Sequence, residues 1–397
     1  MMNISEKWIK CLPILLLPLG CSGLSSVFQV VGIIVFLYLY FKRREEFDFK
    51  IFFQNKLVKY SLICFIVWIM GMMLSDFVSR GNIKESWNWC QRILPFFLAG
   101  LFTIKNNKYF KAVWIGLTLS LLIVSCNVLY SLFIQEHWRP ITMFNSPNKL
   151  GGFLILLIPF VFGGIYTFKN NFRLKVYGMI VLTLGIVSLI ISGCRGAMLG
   201  LLLGSFICFI MIEYKKLPTR KFALNIFKAA CIIIIGLIIV YFVFPVMISR
   251  SYDMERVYLW NSAIKMFCDY PVFGVGVGNF NEYYINNGYI NPLAKEANLD
   301  TPHNMFLWFL AERGIIVGLP FVIMLMFQAY MLLRNVLTDY KKINIWCCCG
   351  AVVVVGMIVH SMVDTVPNNR TYQLMYWLLY GVSCYSIIYN KKINNTI

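Results

Sequence analysis

A chain of 397 residues that is 59% hydrophobic and 13% charged, with a mean hydropathy of +0.72, has too much apolar side chain to fold as water-soluble domains. The net charge of +19 would suit a nucleic-acid binder, but the excess sits in short segments between apolar runs, as membrane insertion demands, so nucleic acid is excluded as a partner. The 13 cysteines lie mostly inside those runs with no CxxC pair, which excludes a disulfide framework; the adjacent Cys347, Cys348 and Cys349 point different ways on a helix and make no metal site.

Repeated apolar runs of about 20 residues are long enough to cross a bilayer as helices. They predict an all-α, polytopic membrane protein, a single membrane domain over residues 1–397. The uncharged run from Cys11 to Phe41 is too long for the apolar part of a signal peptide and reads as two passes, 11–24 and 26–41, joined near Gly20–Ser25. Further passes are expected at 57–75, 92–104, 110–134, 150–168, 175–193, 196–212, 224–248, 304–333, 343–363 and 372–390, about twelve in all, the fourth of them short. Basic clusters at Lys42–Arg44, Lys105–Lys111, Lys169–Lys175, Lys215–Lys221, Arg334–Lys342 and Lys391–Lys392 alternate with the passes and place both termini in the cytoplasm.

One outer segment, residues 249–303, is far longer than the others and too rich in Trp, Tyr and Phe to be a disordered linker. Within it Val257, Leu259, Trp260, Ile264 and Phe267 predict a short amphipathic helix at the outer interface.

The three histidines, His137, His303 and His360, fall at or near the outer face, and so do several arginines that run against the insertion bias. Arg195 interrupts a long apolar stretch in Ser192-Gly193-Cys194-Arg195-Gly196. It either snorkels to water or grips an anion, for which its planar fork is suited. Gly196, Gly200 and Gly204 follow at four-residue spacing and predict close packing of that helix. Arg256 opens the stretch Arg256 to Trp260, again as a solvated interfacial arginine or an anion ligand. Gly274, Gly276 and Gly278 predict a tight re-entry turn, since no βαβ unit surrounds them to make a dinucleotide loop.

Thr301 and Pro302 read as N-cap and first residue of a helix, with His303 in its first turn, where the dipole favours a neutral imidazole; it is either a general base or a capping or interfacial histidine. Glu312 and Arg313, lower on that helix, need partners inside a membrane and predict a structural ion pair. Trp138-Arg139-Pro140 and Asn145-Ser146-Pro147-Asn148 open the sixth pass. His360 and Asp364, four apart, share a helix face at the outer end of the eleventh, either as a polar pair bracing the bundle or as part of a substrate site.

Taken in order, Asn145 to Asn148, Ser192 to Gly196, Arg256 to Trp260, Pro271 to Phe280 and His303-Asn304 to Gly314 resemble the O-antigen ligase and polymerase family over about residues 139–370. The resemblance implies a glycosyltransferase at the periplasmic face of the inner membrane. It would take a glycan from an undecaprenyl-diphosphate-linked donor and pass it to a glycan or lipid A core acceptor, with no nucleotide cofactor and no required metal. It implies that Arg195 and Arg256 grip the diphosphate and that His303 activates the acceptor hydroxyl. The expected substrate-binding set adds Asn148, Trp260 and Asn304 from these matching stretches, and Arg139, His360 and Asp364 from the residue reading above. Cys194 stands where the family commonly has serine, a stronger hydrogen-bond donor. Polymerisation of O-antigen or capsular repeat units is the leading expectation, and ligation to lipid A core differs from it only in the acceptor. A transporter of a lipid-linked glycan or anion is the alternative of another class; it would place ionisable groups near the bilayer midplane and show repeated halves. A bland membrane scaffold leaves the outer arginines unexplained.

Overall fold

The computed structural model describes residues 16–22, isolated positions between 27 and 41, and then 50–79, 83–103, 107–135, 142–218, 220–231, 253–295, 298–338 and 342–394. Apart from one isolated antiparallel bridge, Leu337 to Ile343, the regular structure among these residues is helical. The helices are α1 (Lys50–Gln54), α2 (Lys56–Val78), α3 (Ile83–Gln91), α4 (Leu94–Thr103), α5 (Asn107–Phe133), α6 (Pro147–Thr167) and α7 (Phe172–Ser192). There follow α8 (Arg195–Lys216), α9 (Asp253–Asp269), α10 (Phe280–Asn286), α11 (Met305–Arg313), α12 (Ile315–Arg334), α13 (Ile345–Ser361) and α14 (Arg370–Asn394). Residues 220–231 are helical as well.

Six of the described helices, α2, α5, α6, α7, α8 and α12, are long and apolar enough to cross a bilayer. The expected passes 26–41 and 224–248 lie largely outside the described residues, and 11–24 is described at 16–22, helical over 16–21. The short fourth pass is the ten-residue α4, preceded by α3, a separate helix that no sequence signal announced. The tenth expected pass, 304–333, is two helices. Gly314 has φ 67° and ψ −168°, far from helical values, and ends α11 before α12 begins.

α6 is the axis of the bundle. Its spanning window is 78% buried, against 28% for α7 and 22% for α8, which therefore present most of their surface outward. Small residues let neighbours close on it. The indole of Trp114 lies so near Gly164 that an added Cβ would fall 1.9 Å from Nε1, and that N–H donates to the Val161 carbonyl at 3.1 Å. The glycine ladder of α8 packs as its spacing predicts: a Cβ on Gly200 would lie 2.6 Å from the Gly356 carbonyl oxygen, and one on Gly204 2.7 Å from that of Val352. Gly200→Val should therefore push α8 off α13 and cost about 1–3 kcal/mol, read as a fall in the thermal midpoint of the detergent-solubilised protein. Leu202→Val, at a 40% exposed position on the same helix, is expected to leave the midpoint nearly unchanged.

Residues 253–295 and 298–304 lie between the helix at 220–231 and α11 and build a small second core. Leu259, Ala263 and Met266 of α9 pack with Val275, Phe280 and Tyr284 and with Ala311 of α11. The expected amphipathic stripe is only partly right, because Val257 and Ile264 are exposed while Ala263 and Met266 are buried. The glycine run does make a tight turn: Gly274, Gly276 and Gly278 have φ of 70°, 95° and 77°. Its amides serve the end of α11, with Val275 N–H donating to the Ala311 carbonyl and Gly276 N–H to that of Glu312, each at 2.9 Å.

Arg313 and Glu312 do not pair with each other as a closed couple. Arg313 Nε donates to Asp76 Oδ1 at 3.1 Å, and Nη2 lies 3.6 Å from Glu85 Oε1. Asp76 also accepts from the Ser86 hydroxyl. The ion pair thus joins α2, α3 and α11. The Glu312 carboxylate faces the glycine turn, where it accepts from the Phe280 N–H at 3.4 Å.

Candidate active site

The site lies at the bundle end where α6 and α8 begin and α7 and α13 finish. α7 stops at Ser192 because Gly193 adopts the left-handed conformation (φ 59°, ψ 23°) that caps helices. Ser192 Oγ accepts from the Cys194 N–H at 3.2 Å, and Cys194 is the N-cap of α8, with Arg195 its first residue. A cation gains nothing from the positive end of a helix dipole, so Arg195 does not stand there to stabilise α8. α6 starts nearby, with Pro147 at its first turn and Asn148 next. Two helix N-termini therefore face one place, which favours negative charge there.

A small cleft is lined by Asn148, Cys194, Arg195, Gly196, Arg256, His360, Val363 and Asp364. Arg256, from α9, meets Arg195 across it, 61 residues apart in the sequence. His360 is 1% exposed and held between helices: a Cβ on Gly196 would lie 2.9 Å from His360 Cδ2, and one on Gly152 3.0 Å from Cε1. Its Nε2 is 3.5 Å from Cys194 Sγ.

Asp364 organises the rest. It lies beyond α13, which ends at Ser361, so it shares a turn with His360 and not the helix face expected of it; its N–H donates to the His360 carbonyl at 3.1 Å. Asn148 Nδ2 donates to its Oδ2 at 2.5 Å, and the Thr365 N–H donates to Oδ1 at 2.7 Å. His303 Nδ1 lies 3.6 Å from Oδ1. Burial pushes the Asp364 carboxyl up, but His303, His360 and the Thr365 amide more than offset this and hold it below the ordinary carboxylate value.

His303 is not in the first turn of a helix. Its φ is 49°, and the N-cap is Asn304, whose Oδ1 accepts from the Phe306 and Leu307 N–H groups at 3.0 and 3.1 Å. Asn304 Nδ2 in turn donates to the Met362 carbonyl at 2.9 Å, and Thr301 Oγ1 meets Thr365 Oγ1 at 3.2 Å. These contacts clamp the 301–304 segment to the turn that carries Asp364, and the left-handed backbone aims the imidazole at it. The ring is 34% exposed, open enough to meet a ligand.

Of the residues singled out from the sequence, Asn148, Arg195, Arg256, His360 and Asp364 line the cleft, and His303 borders it through Asp364. Asn304 serves as a cap and brace. Trp260, one turn beyond Arg256 on α9, does not line the cleft. Arg139 and His137 lie outside the described residues. The role of Cys194 beside His360 and the glycine clamp of Gly152 and Gly196 were not foreseen; the paired small residues in Gly151-Gly152 were the available signal.

Residues 180–322, from within α7 into α12, match the family described as O-antigen ligase. The match covers Arg195, Arg256 and His303, whereas Asn148, His360 and Asp364 come to the cleft from outside it. A protein of Haemophilus influenzae (strain ATCC 51907 / DSM 11121 / KW20 / Rd), described as uncharacterized, is 22% identical over 399 residues, spanning 92% of this chain and 93% of its own. The match accompanies six described helices long and apolar enough to cross a membrane.

Proposed function

We propose that this enzyme transfers a glycan from an undecaprenyl-diphosphate-linked donor to an acceptor sugar at the periplasmic face of the inner membrane, with both termini in the cytoplasm, and that it polymerises repeat units. The observation that carries the reading is the convergence of Arg195 and Arg256 on one cleft beside a carboxylate-braced histidine. The acceptor hydroxyl oxygen attacks the anomeric carbon of the donor sugar as the bond from that carbon to the diphosphate oxygen breaks. His303 takes the hydroxyl proton, with its imidazolium stabilised by Asp364. The guanidiniums of Arg195 and Arg256 and the two helix N-termini stabilise the charge that builds on the leaving diphosphate. Asn148 and His360 hold Asp364 and the Arg195 turn in register, and Arg139 and Trp260 remain proposed contacts of the sugar chain. The cleft has a volume of about 20 Å³, near that of one water, so donor binding requires Arg256 and α9 to move outward.

The clustering of these groups at helix ends, away from mid-helix positions, supports an enzyme over a transporter. Joining the glycan to lipid A core is the second reading, since it uses the same donor chemistry and changes only the acceptor.

The test is complementation of a deletion strain with wild type, Arg195→Ala, Arg256→Ala or His303→Ala at matched membrane levels, with surface glycan read on a gel. Wild type alone should restore long chains, and the three variants should leave short, unpolymerised repeats. Full-length chains left on the lipid carrier would identify the ligase reading. Normal glycan from all three variants would sink both.

A further inference from the structure

A second cationic cavity lies at the same end of the bundle, away from the cleft. It has a volume of about 440 Å³ and lies between α3, α4 and the start of α14. Its polar side is formed by Asn88, Gln91, Arg92 and Arg370. Arg92 donates to Gln373 Oε1 at 2.9 Å and stacks 5.7 Å from the Trp89 ring, so its position is fixed by neutral partners. Gln373 Nε2 donates to the Pro367 carbonyl, which ties the cavity to the turn that bears Asp364.

The two guanidiniums repel each other across this cavity. Among the described residues no carboxylate lines it. Glu85 is the acid that Arg92 feels, and it is already engaged with Arg313 at 3.6 Å. Cations at this end also run against the insertion bias. An anion between Arg92 and Arg370 would relieve the repulsion, and tetrahedral phosphate suits two forked donors. The other walls are apolar, from Leu17, Leu94, Leu98 and Leu374, and Leu94 is 55% exposed at the start of the ten-residue α4. A cavity that is cationic on one side and apolar on the other fits an amphiphile better than a free ion.

We propose that the Arg92–Arg370 cavity binds the phosphate headgroup of a second membrane lipid. The lipid is either a bulk anionic phospholipid or the carrier of an acceptor glycan. The latter identity rests on the transfer reading above, since a polymerase must hold two carrier lipids at once; lipid binding itself does not.

The test uses the full chain carrying Arg195→Ala and Arg256→Ala, so that the cleft contributes nothing and a failure of the transfer reading leaves the result interpretable. The protein is placed in phosphatidylcholine nanodiscs and titrated with phosphatidylglycerol or a polyprenyl diphosphate, and retained lipid is read by native mass spectrometry. One or both phosphate lipids should be retained, and adding Arg92→Gln with Arg370→Gln should weaken retention by about 10-fold or more. Preference for phosphatidylglycerol identifies the bulk lipid, and preference for the polyprenyl diphosphate identifies the acceptor carrier. Arg370→Gln alone changes an exposed side chain and should lower retention with the thermal midpoint unchanged. Unaltered retention in that folded variant overturns the proposal, as does a thermal shift with inorganic phosphate but no lipid retained.

Discussion

His303→Ala is expected to lower glycan transfer by about 10²–10⁴-fold while leaving the protein folded in the membrane. The separation of effects follows from the local geometry. His303 stands outside α11, which is capped by Asn304, and its ring touches the fold through Asp364 at 3.6 Å. Its removal therefore takes a proton acceptor from the cleft without uncapping a helix. Asp364→Asn should cost less, on the order of 10²-fold, by loosening the placement of His303 and Asn148. The split between kcat and KM separates positioning from mere bracing: lost positioning falls on kcat at an unchanged amount of folded protein, whereas a purely structural role lowers the folded fraction. Wild-type stability supplies a second check. A carboxyl held below its unfolded value of 3.8 contributes fully above that value, and the contribution is lost only as pH falls through the depressed folded value. The site should therefore hold through the neutral range and loosen only in strong acid, below about pH 4. Loss of the thermal midpoint near pH 6 would show that Asp364 is not the ionised hub described.

The parts of this architecture that could be read in the sequence are those set by local chemistry. Apolar runs of bilayer length became α2, α5, α6, α7, α8 and α12. Gly193 and the run Gly274 to Gly278 became left-handed turns because such backbone suits glycine, and the ladder Gly196, Gly200, Gly204 became a helix contact. Arg195 and Arg256 were legible because a guanidinium at the end of an apolar run needs a reason. The break at Gly314 was hidden, since glycine inside an apolar stretch is tolerated in membrane helices and the charged pair Glu312-Arg313 before it reads equally well as an ion pair within one helix. The cap was misplaced because Thr301-Pro302 and Asn304 are both good signals; what favours Asn304 is its second bond, to the Met362 carbonyl, a contact 58 residues away. The partners Asp364 for Asn148 and Asp76 for Arg313 are 216 and 237 residues apart, and no periodicity links positions so distant.

Arg313→Met should destabilise the protein by about 3–5 kcal/mol, the largest stability effect expected from a single side chain here. Arg313 is 1% exposed and Asp76 is fully buried, so removing the guanidinium leaves a carboxylate in low dielectric supported, among the described residues, by the Ser86 hydroxyl alone. Methionine roughly fills the volume and keeps contact with Phe309, whose ring lies 6.0 Å from Arg313 Cζ. The loss then reports the stranded charge and not a cavity. The double variant Asp76→Asn, Arg313→Met tests that reasoning: with both charges gone it should recover much of the midpoint lost in the single variant, a coupling that independent sites would not give. Measured by thermal unfolding in detergent, an additive double variant would refute the paired-charge account. The same substitution should also reduce transfer, because Arg313 closes α11 immediately before the Gly314 break, where the Ile315 N–H donates to the Pro271 carbonyl at 2.9 Å. α11 is capped by Asn304, the neighbour of His303, and its last turn binds the glycine run, so one buried ion pair at its far end fixes both the proposed base and the segment that follows the Arg256 helix.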